Sequence, residues 1–316
     1  MATITARPQT AAELNILHRK QRSLWMDAWH RLTRNRMAMA GLVVVVFAML
    51  VAAFAPMIAP RDPTAQNSAL ALADPFWVDS QYRNPDYPLG SDQLGRDILS
   101  RLIYSARVSM LVGFVPVSII FVMGVTIGMY AAFHGGWIDN ALMRLTDVMY
   151  AFPDLLFLII IFATLRNTWA GDLMGGLVLM FVGIAIVNWV GMARLVRGQV
   201  LSLKEKEFVE AARATGARPG RIMLKHLFPN ALAPVIVSLA FAIPSAMLAE
   251  ATLSFLGFGV KPPTATWGVM INEGFVLVTS TPWPVLLPAF CIAIVMLAFT
   301  ALGDGLRDAL DPRMKL

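Results

Sequence analysis

Residues Glu205 to Asn230 read EKEFVEAARATGARPGRIMLKHLFPN, a long polar passage set between two apolar runs. The passage is short of metal ligands and nucleophiles, so it reads as a docking surface. In its first half Phe208, Ala211, Ala212 and Thr215 recur at i, i+3, i+4 and i+7, which puts them on one face of a short amphipathic helix, with Lys206, Glu210 and Arg213 outside that stripe. The helix should stop at Gly216, because glycine takes the left-handed conformation that closes a helix at little steric cost, and Pro219 suits the first turn of a second helix. That second helix is expected to end before Pro229. Small Ala211 and Ala212 let another surface approach the backbone, while Phe208 offers an apolar anchor that fills a pocket on a partner.

The chain on either side of this passage is far too apolar for an ordinary soluble domain. Of its 316 residues 57% are hydrophobic and only 15% charged, with a mean hydropathy of +0.64, and this defines an all-α integral membrane protein. Six apolar segments reach the roughly 20 residues needed to cross a bilayer as helices: 37–60, 107–133, 141–165, 174–196, 232–258 and 284–303. Lys and Arg concentrate on one side of such a topology, which predicts that both termini and the Glu205–Asn230 loop are cytoplasmic. The net charge of +6 is then explained by topology and anionic membrane lipid, and no basic face with interleaved stacking aromatics points to nucleic acid. The single Cys291 lies inside the last span, so there is no disulfide framework and no thiol metal site. The first apolar run begins only near Met37, behind a long basic leader, and is expected to stay as an anchor.

Residues 1–36 therefore read as a cytoplasmic segment, 37–106 as the first transmembrane helix and its extracytoplasmic loop, 107–303 as a five-helix core that includes the loop 198–231, and 304–316 as a cytoplasmic tail. Residues 1 to 19 are polar and expected to be poorly ordered. Between Lys20 and Arg36, Leu24, Trp25, Ala28, Trp29 and Leu32 share one helical face, and Arg22, Arg31, Arg34 and Arg36 lie off it or past its end. This is an interfacial helix or a basic stop that fixes topology.

The first outer loop ends in GSDQLGRDILSRLIYSARVSM from Gly90, with capping residues followed by a pattern in which Leu94, Ile98 and Leu102 share a face and Asp97 can pair with Arg101. Gly124 and Gly128 in the second span allow close helix approach. Charged groups inside a bilayer are costly unless paired or wet, so Arg144, Asp147 and Asp154 in the third span should face the bundle interior or its cytoplasmic end, with an Arg144–Asp147 pair at helical spacing. Asp154, and Glu250 in the fifth span between Pro244 and Gly257, are candidate pathway groups. A second outer loop with Pro262, Pro263, Trp267 and Trp283 precedes the last span.

Two of these stretches carry a family resemblance. The polar passage resembles the EAA loop of permease subunits from binding-protein-dependent ABC importers: Glu210, Ala211, Ala212, Gly216 and Pro229 fall at the matching positions, with His226 and Phe228 where the family has Ile and Leu. The Gly90, Asp92, Gly95, Arg96, Asp97 run resembles the N-terminal signature of the dipeptide, oligopeptide and nickel class within that family. The resemblance implies a type I ABC importer permease fold in the inner membrane, with the loop carrying a coupling helix that docks on a cytoplasmic ATPase. It also implies a heterodimer with a second, related permease, two ATPases and an extracytoplasmic solute-binding protein. A Walker A pattern is absent, so the chain is expected to be no enzyme and to carry no cofactor or metal, with ATP and Mg bound by partner subunits. Cargo expected from the resemblance is a di- or oligopeptide, with nickel chelates, glutathione and glycosides as alternatives.

A self-sufficient secondary transporter is the competing class, but no internal repeat is evident. An intramembrane hydrolase needs a nucleophile and base or paired ligands within the membrane, whereas His18, His30, His134 and His226 all fall outside the spans.

Overall fold

The computed structural model describes residues 24–311. The expectations for residues 1–19, for Arg22, and for the side chains of Leu24 and Trp25 lie outside what is described, as do Arg313 and Lys315. Helices α1 (Leu24–Arg34) and α2 (Arg36–Ala53) open the described chain, separated by Asn35, whose side chain accepts from the Ala38 amide and caps α2. An irregular outer loop leads to α3 (Ile98–His134). Then come α4 (Gly136–Tyr150) and α5 (Asp154–Leu165), α6 (Leu177–Leu203), α7 (Glu207–Ala214), α8 (Phe228–Leu253), α9 (Trp267–Phe275) and α10 (Trp283–Leu310).

Among the described residues five helical runs are long and apolar enough to cross a membrane, and the α4–α5 pair, bent by 80°, makes a sixth crossing when read as one span. The bend falls at Ala151–Pro153, where proline cannot continue the backbone ladder of α4. At 37 residues α3 is about 55 Å long, more than a 30 Å hydrocarbon core needs. Its first turns carry Arg101, Ser105 and Arg107, which is why the apolar pattern alone placed its start near residue 107. Likewise α10 continues through the expected tail as far as Leu310.

Helices α3 and α6 form the centre of the bundle. A Cβ on Gly124 would lie 2.5 Å from the Met192 Cβ, and one on Gly128 only 2.3 Å from the Ala193 carbonyl oxygen. The two glycines thus let the backbones meet, as the small-residue spacing predicts. The main core gathers Val112, Met180, Ile184 and Leu253 from α3, α6 and α8. A second core gathers Val196, Val200, Val209, Ile222 and Leu227. A small third one joins Ala28, Leu32, Ala38 and Ala309, so α1 packs on the end of α10, where Arg31 donates to the Asp311 carbonyl (3.4 Å).

One expectation fails at Pro229. The helix that begins at Pro219 does not stop before it: Pro219–Arg221 runs through the wide turns of Ile222–Leu227 directly into α8. Wide turns already depart from i to i−4 pairing, so the missing proline N–H near the start of α8 leaves little to break. A second difference is α9, a nine-residue helix inside what reads in sequence as an outer loop. Thr266 caps it by accepting from the Val269 amide (3.1 Å), and the buried Trp267 indole donates to the Leu102 carbonyl (3.1 Å).

Candidate functional site

The hairpin at Glu207–Gly216 is built from its interior outward. Val209 and Ala212, three apart, are buried against the second core. Ala212 is therefore not part of the exposed stripe that its spacing from Phe208 suggested, because the Val209 position claims that side of the helix for the core. Phe208, 39% exposed, and Glu210, Ala211 and Thr215 stay outside. The helix ends in the pattern that Gly216 predicts. Gly216, at φ +75°, has its amide on the Arg213 carbonyl (2.9 Å), and the Ala217 amide reaches back to Ala212 (3.0 Å), the paired bonds of a Schellman closure. Pro219 then stands at the first turn of the next helix, and Pro229 lies exposed at the start of α8.

Behind the hairpin, α6 is clamped to its neighbours by its cationic end. Arg197 makes a two-pronged pair with Asp139 of α4 (2.6 and 2.7 Å). Arg194 pairs with Asp147 (2.7 Å) and lies over the Tyr150 ring at 4.6 Å. Lys204 donates to the Ala132 carbonyl at the end of α3 (3.1 Å). The expected Arg144–Asp147 pair is not made, since Asp147 is turned toward α6. Asp139 did not stand out in the sequence, although a carboxylate and arginines near the ends of two adjoining apolar runs are the trace it leaves there.

The signature loop builds a second, buried ionic cluster at the opposite end of α3. One Asp92 oxygen accepts from the amides of Leu94 (2.8 Å) and Arg96 (3.0 Å). The other takes Arg96 Nε at 2.6 Å and Arg101 Nη1 at 2.5 Å. Glu273 of α9 receives the remaining nitrogens of the same arginines, at 2.7 and 2.8 Å. Gly90 and Gly95 turn the chain with positive φ. Asp97 does not pair with Arg101, as its spacing allowed. It caps α3 instead, accepting from the Ser100 amide (2.8 Å) and hydroxyl (2.5 Å), and Leu94 lies in the turn before the helix. Glu273 was missed because its partners are some 170 residues away and nothing local marks it.

The two candidate pathway carboxylates end up in different surroundings. Asp154 is exposed in the first turn of α5. Glu250 is buried, and its carboxylate accepts from the hydroxyls of Ser254 (2.6 Å) and Thr266 (2.5 Å). It therefore joins α8 to the N-cap of α9. Among the described residues no three His, Cys, Asp or Glu side chains gather to hold a metal ion.

The described chain is a multi-crossing helical bundle with an exposed, Gly-closed hairpin between α6 and α8. The comparisons make the class specific: the chain belongs to the family of binding-protein-dependent transport system inner membrane components, whose model matches residues 124–316. The N-terminal transmembrane domain of oligopeptide transport permease C matches residues 23–75. It is 40% identical over 305 residues to the dipeptide transport system permease protein DppC of Bacillus subtilis, covering 96% of this chain and 90% of that one. To the oligopeptide permease OppC of the same organism it is 38% identical, covering 96% and 95%, and to OppC of Escherichia coli K12 37%, covering 92% of each.

Among solved structures, a chain of the MetNI methionine ABC transporter in inward-facing conformations aligns with a TM-score of 0.56 at 16% identity, covering 68% of this chain and 98% of that one, which establishes the shared fold. The chain is thus a multi-pass inner-membrane permease subunit and not an enzyme. Membership implies an ATPase and a solute-binding protein as partners.

Proposed function

We propose that the chain forms one half of the translocation pathway of an ATP-driven importer for di- or oligopeptides, paired with a second, related permease and two ATPase subunits. The observation that carries the coupling is the hairpin at Glu207–Gly216: its Val209 and Ala212 side is anchored in the bundle, leaving Phe208, Glu210 and Ala211 to enter a groove on an ATPase. ATP and Mg are bound there and not in this chain. Both termini lie in the cytoplasm, and the binding protein meets the opposite end, where the signature loop and α9 are. Closing of the nucleotide-bound ATPase pair draws the two hairpins together, and the permease halves rock around a central cavity. Peptide cargo is supported by the names of the relatives, which are dipeptide and oligopeptide permeases over nearly their whole length.

The test is retention in mild detergent. The tagged chain purified from its host should bring with it ATPase subunits and a second six-span protein, and ligand eluted from the retained binding protein should be peptide. Elution of a nickel chelate, glutathione or a glycoside would overturn the cargo, and recovery of the chain as a lone homo-oligomer would overturn the importer assembly. In the intact assembly Glu210→Lys should leave membrane insertion unchanged while transport falls and ATP hydrolysis continues.

A further inference from the structure

Where the first outer loop meets α3, a cavity of about 670 Å³ with a mixed lining that includes Arg61, Asp62, Tyr104 and Arg107 opens between that loop, the start of α3 and the Pro263–Ala265 segment. Directly below it on the same helix lies an apolar groove of about 310 Å³ between α2 and α3, lined by Met49, Ala52, Leu111 and Phe114. Arg107 lines both. Tyr104, Arg107, Leu111 and Phe114 follow at i, i+3, i+7 and i+10, so one stripe of α3 passes from a polar upper end to an apolar lower one over about 15 Å.

Of the cations around the cavity, Arg107 is the one without a counterpart among the described residues. Arg101 is held by Asp92 and Glu273. Arg61 pairs with Asp86 (3.4 Å) and lies over the Tyr87 ring. The Asp62 carboxylate accepts from the Thr64 amide (2.8 Å) and hydroxyl (2.6 Å), bonds that hold it below the usual carboxylate range and keep it charged. Arg107 is exposed, and neither it nor the Tyr104 hydroxyl makes a hydrogen bond or ion pair among the described residues. A guanidinium at the rim of an apolar groove in a membrane protein is costly unless it meets water or an anion, and its planar fork suits a phosphate.

We infer that this face binds one phospholipid, its phosphate held by Arg107 and the Tyr104 hydroxyl in the cavity and one acyl chain laid in the groove between α2 and α3. The two compartments, joined at a single cation, match an amphiphile with an anionic head. A free anion would fill only the upper half, and a peptide would leave the groove empty. Phe114, whose ring meets Phe299 edge-on at 5.8 Å, gives the chain a fixed wall at the groove's lower end.

The test uses the full-length chain purified with its partners in mild detergent, delipidated and titrated with dioleoyl phosphatidylglycerol while bound lipids are counted by native mass spectrometry. Wild type should hold one tight lipid more than Arg107→Ala, with affinity for it falling about tenfold in that variant and largely kept in Arg107→Lys. Leu111→Trp, which fills the groove and leaves the guanidinium in place, should weaken the same lipid comparably. Unchanged lipid counts in Arg107→Ala and Leu111→Trp would overturn the site. Displacement of the lipid by millimolar inorganic phosphate would reduce it to an anion site, and binding of labelled dialanine that depends on Arg107 would reassign it to cargo. A disulfide between Leu111→Cys and a cysteine introduced into the second permease would show that protein covers this face, and would also overturn the lipid.

Discussion

Asp92→Asn isolates the charge at the centre of the outer ionic cluster. Asparagine keeps an oxygen where Asp92 accepts from the Leu94 and Arg96 amides, so the turn that precedes α3 survives. On the other branch an NH₂ replaces the oxygen that now sits 2.6 Å from Arg96 Nε and 2.5 Å from Arg101 Nη1, setting donor against donor. Asp92 is 5% exposed, and the arginine side chains are 9% and 3% exposed, so water replaces little of what is lost. Removing one partner from a buried ion pair costs about 3–5 kcal/mol. Glu273 still faces both arginines, so the lower end, about 3 kcal/mol, is expected. For a chain of this size that lowers the thermal midpoint in detergent by roughly 5 °C. The assay is intrinsic-fluorescence melting of the purified chain, repeated for Glu273→Gln and for the double variant. The two acids share the same two guanidiniums and each partly covers for the other, so the loss in the double variant should exceed the sum of the single losses by about 1 kcal/mol or more. A midpoint within about 1 °C of wild type for Asp92→Asn, or strict additivity with Glu273→Gln, refutes the reading of one buried network.

Three further outcomes follow from the same geometry. Asp139→Asn removes the charge from a partner held by two bonds, at a cost of about 1.5–3 kcal/mol; uptake into proteoliposomes should fall while ATP hydrolysis persists, and the exchange Asp139→Arg with Arg197→Asp should recover part of the loss. Gly128→Ala drives a Cβ against the Ala193 carbonyl and should destabilise by about 1–3 kcal/mol, whereas Gly198→Ala, where a Cβ meets open space, should be neutral or stabilising by up to about 1 kcal/mol in the same melting assay. Glu250→Gln keeps an oxygen for the Ser254 and Thr266 hydroxyls and should transport near wild-type level, while Glu250→Ala leaves two buried donors unmatched and should lower the midpoint; a dead but stable Gln variant would show that the charge itself is needed.

What the sequence made legible is what local chemistry encodes. Gly216 and Pro219 announced the end of one helix and the start of the next because left-handed backbone and a missing N–H are properties of single residues. The apolar runs announced the spans because hydrocarbon leaves no other use for 20 such residues in a row. Gly124 and Gly128 announced a close helix approach for a similar reason, and the fold supplied α6 as the partner. The misses have one cause, which is that partner choice is made in three dimensions. Asp97 and Arg101, or Arg144 and Asp147, are paired by helical spacing, yet each acid is taken by a better-placed group: Asp97 by the α3 amide and hydroxyl of Ser100, Asp147 by Arg194 of α6. Ala212 shares its spacing with an exposed stripe as well as with a buried one, and the core settled which. Pro229 reads as a stop because a regular ladder is assumed, and the wide turns before it are visible only in the backbone.

These placements bear on how a push at the hairpin is carried. Val209 and Ala212 seat α7 on the same core as Val196 and Val200 of α6, so displacement of α7 loads α6 directly. The glycine contacts put α6 against the α3 backbone with no side chain to absorb the motion, and Lys204 adds a bond to the end of α3. The bent third span is attached to the same body through Asp139 and Asp147. At its other end α3 is fixed to α9 by Asp92, Arg96, Arg101 and Glu273, and α9 to α8 by Glu250. Helix α3 is therefore the member common to both ends, and on the proposed coupling an ATP-driven movement would arrive at the signature loop as a displacement of one connected body. The ionic clusters at its two ends do different work in that transfer: loss of Asp139 should free the bent third span from α6, whereas loss of Asp92 should loosen α9 while the hairpin still moves.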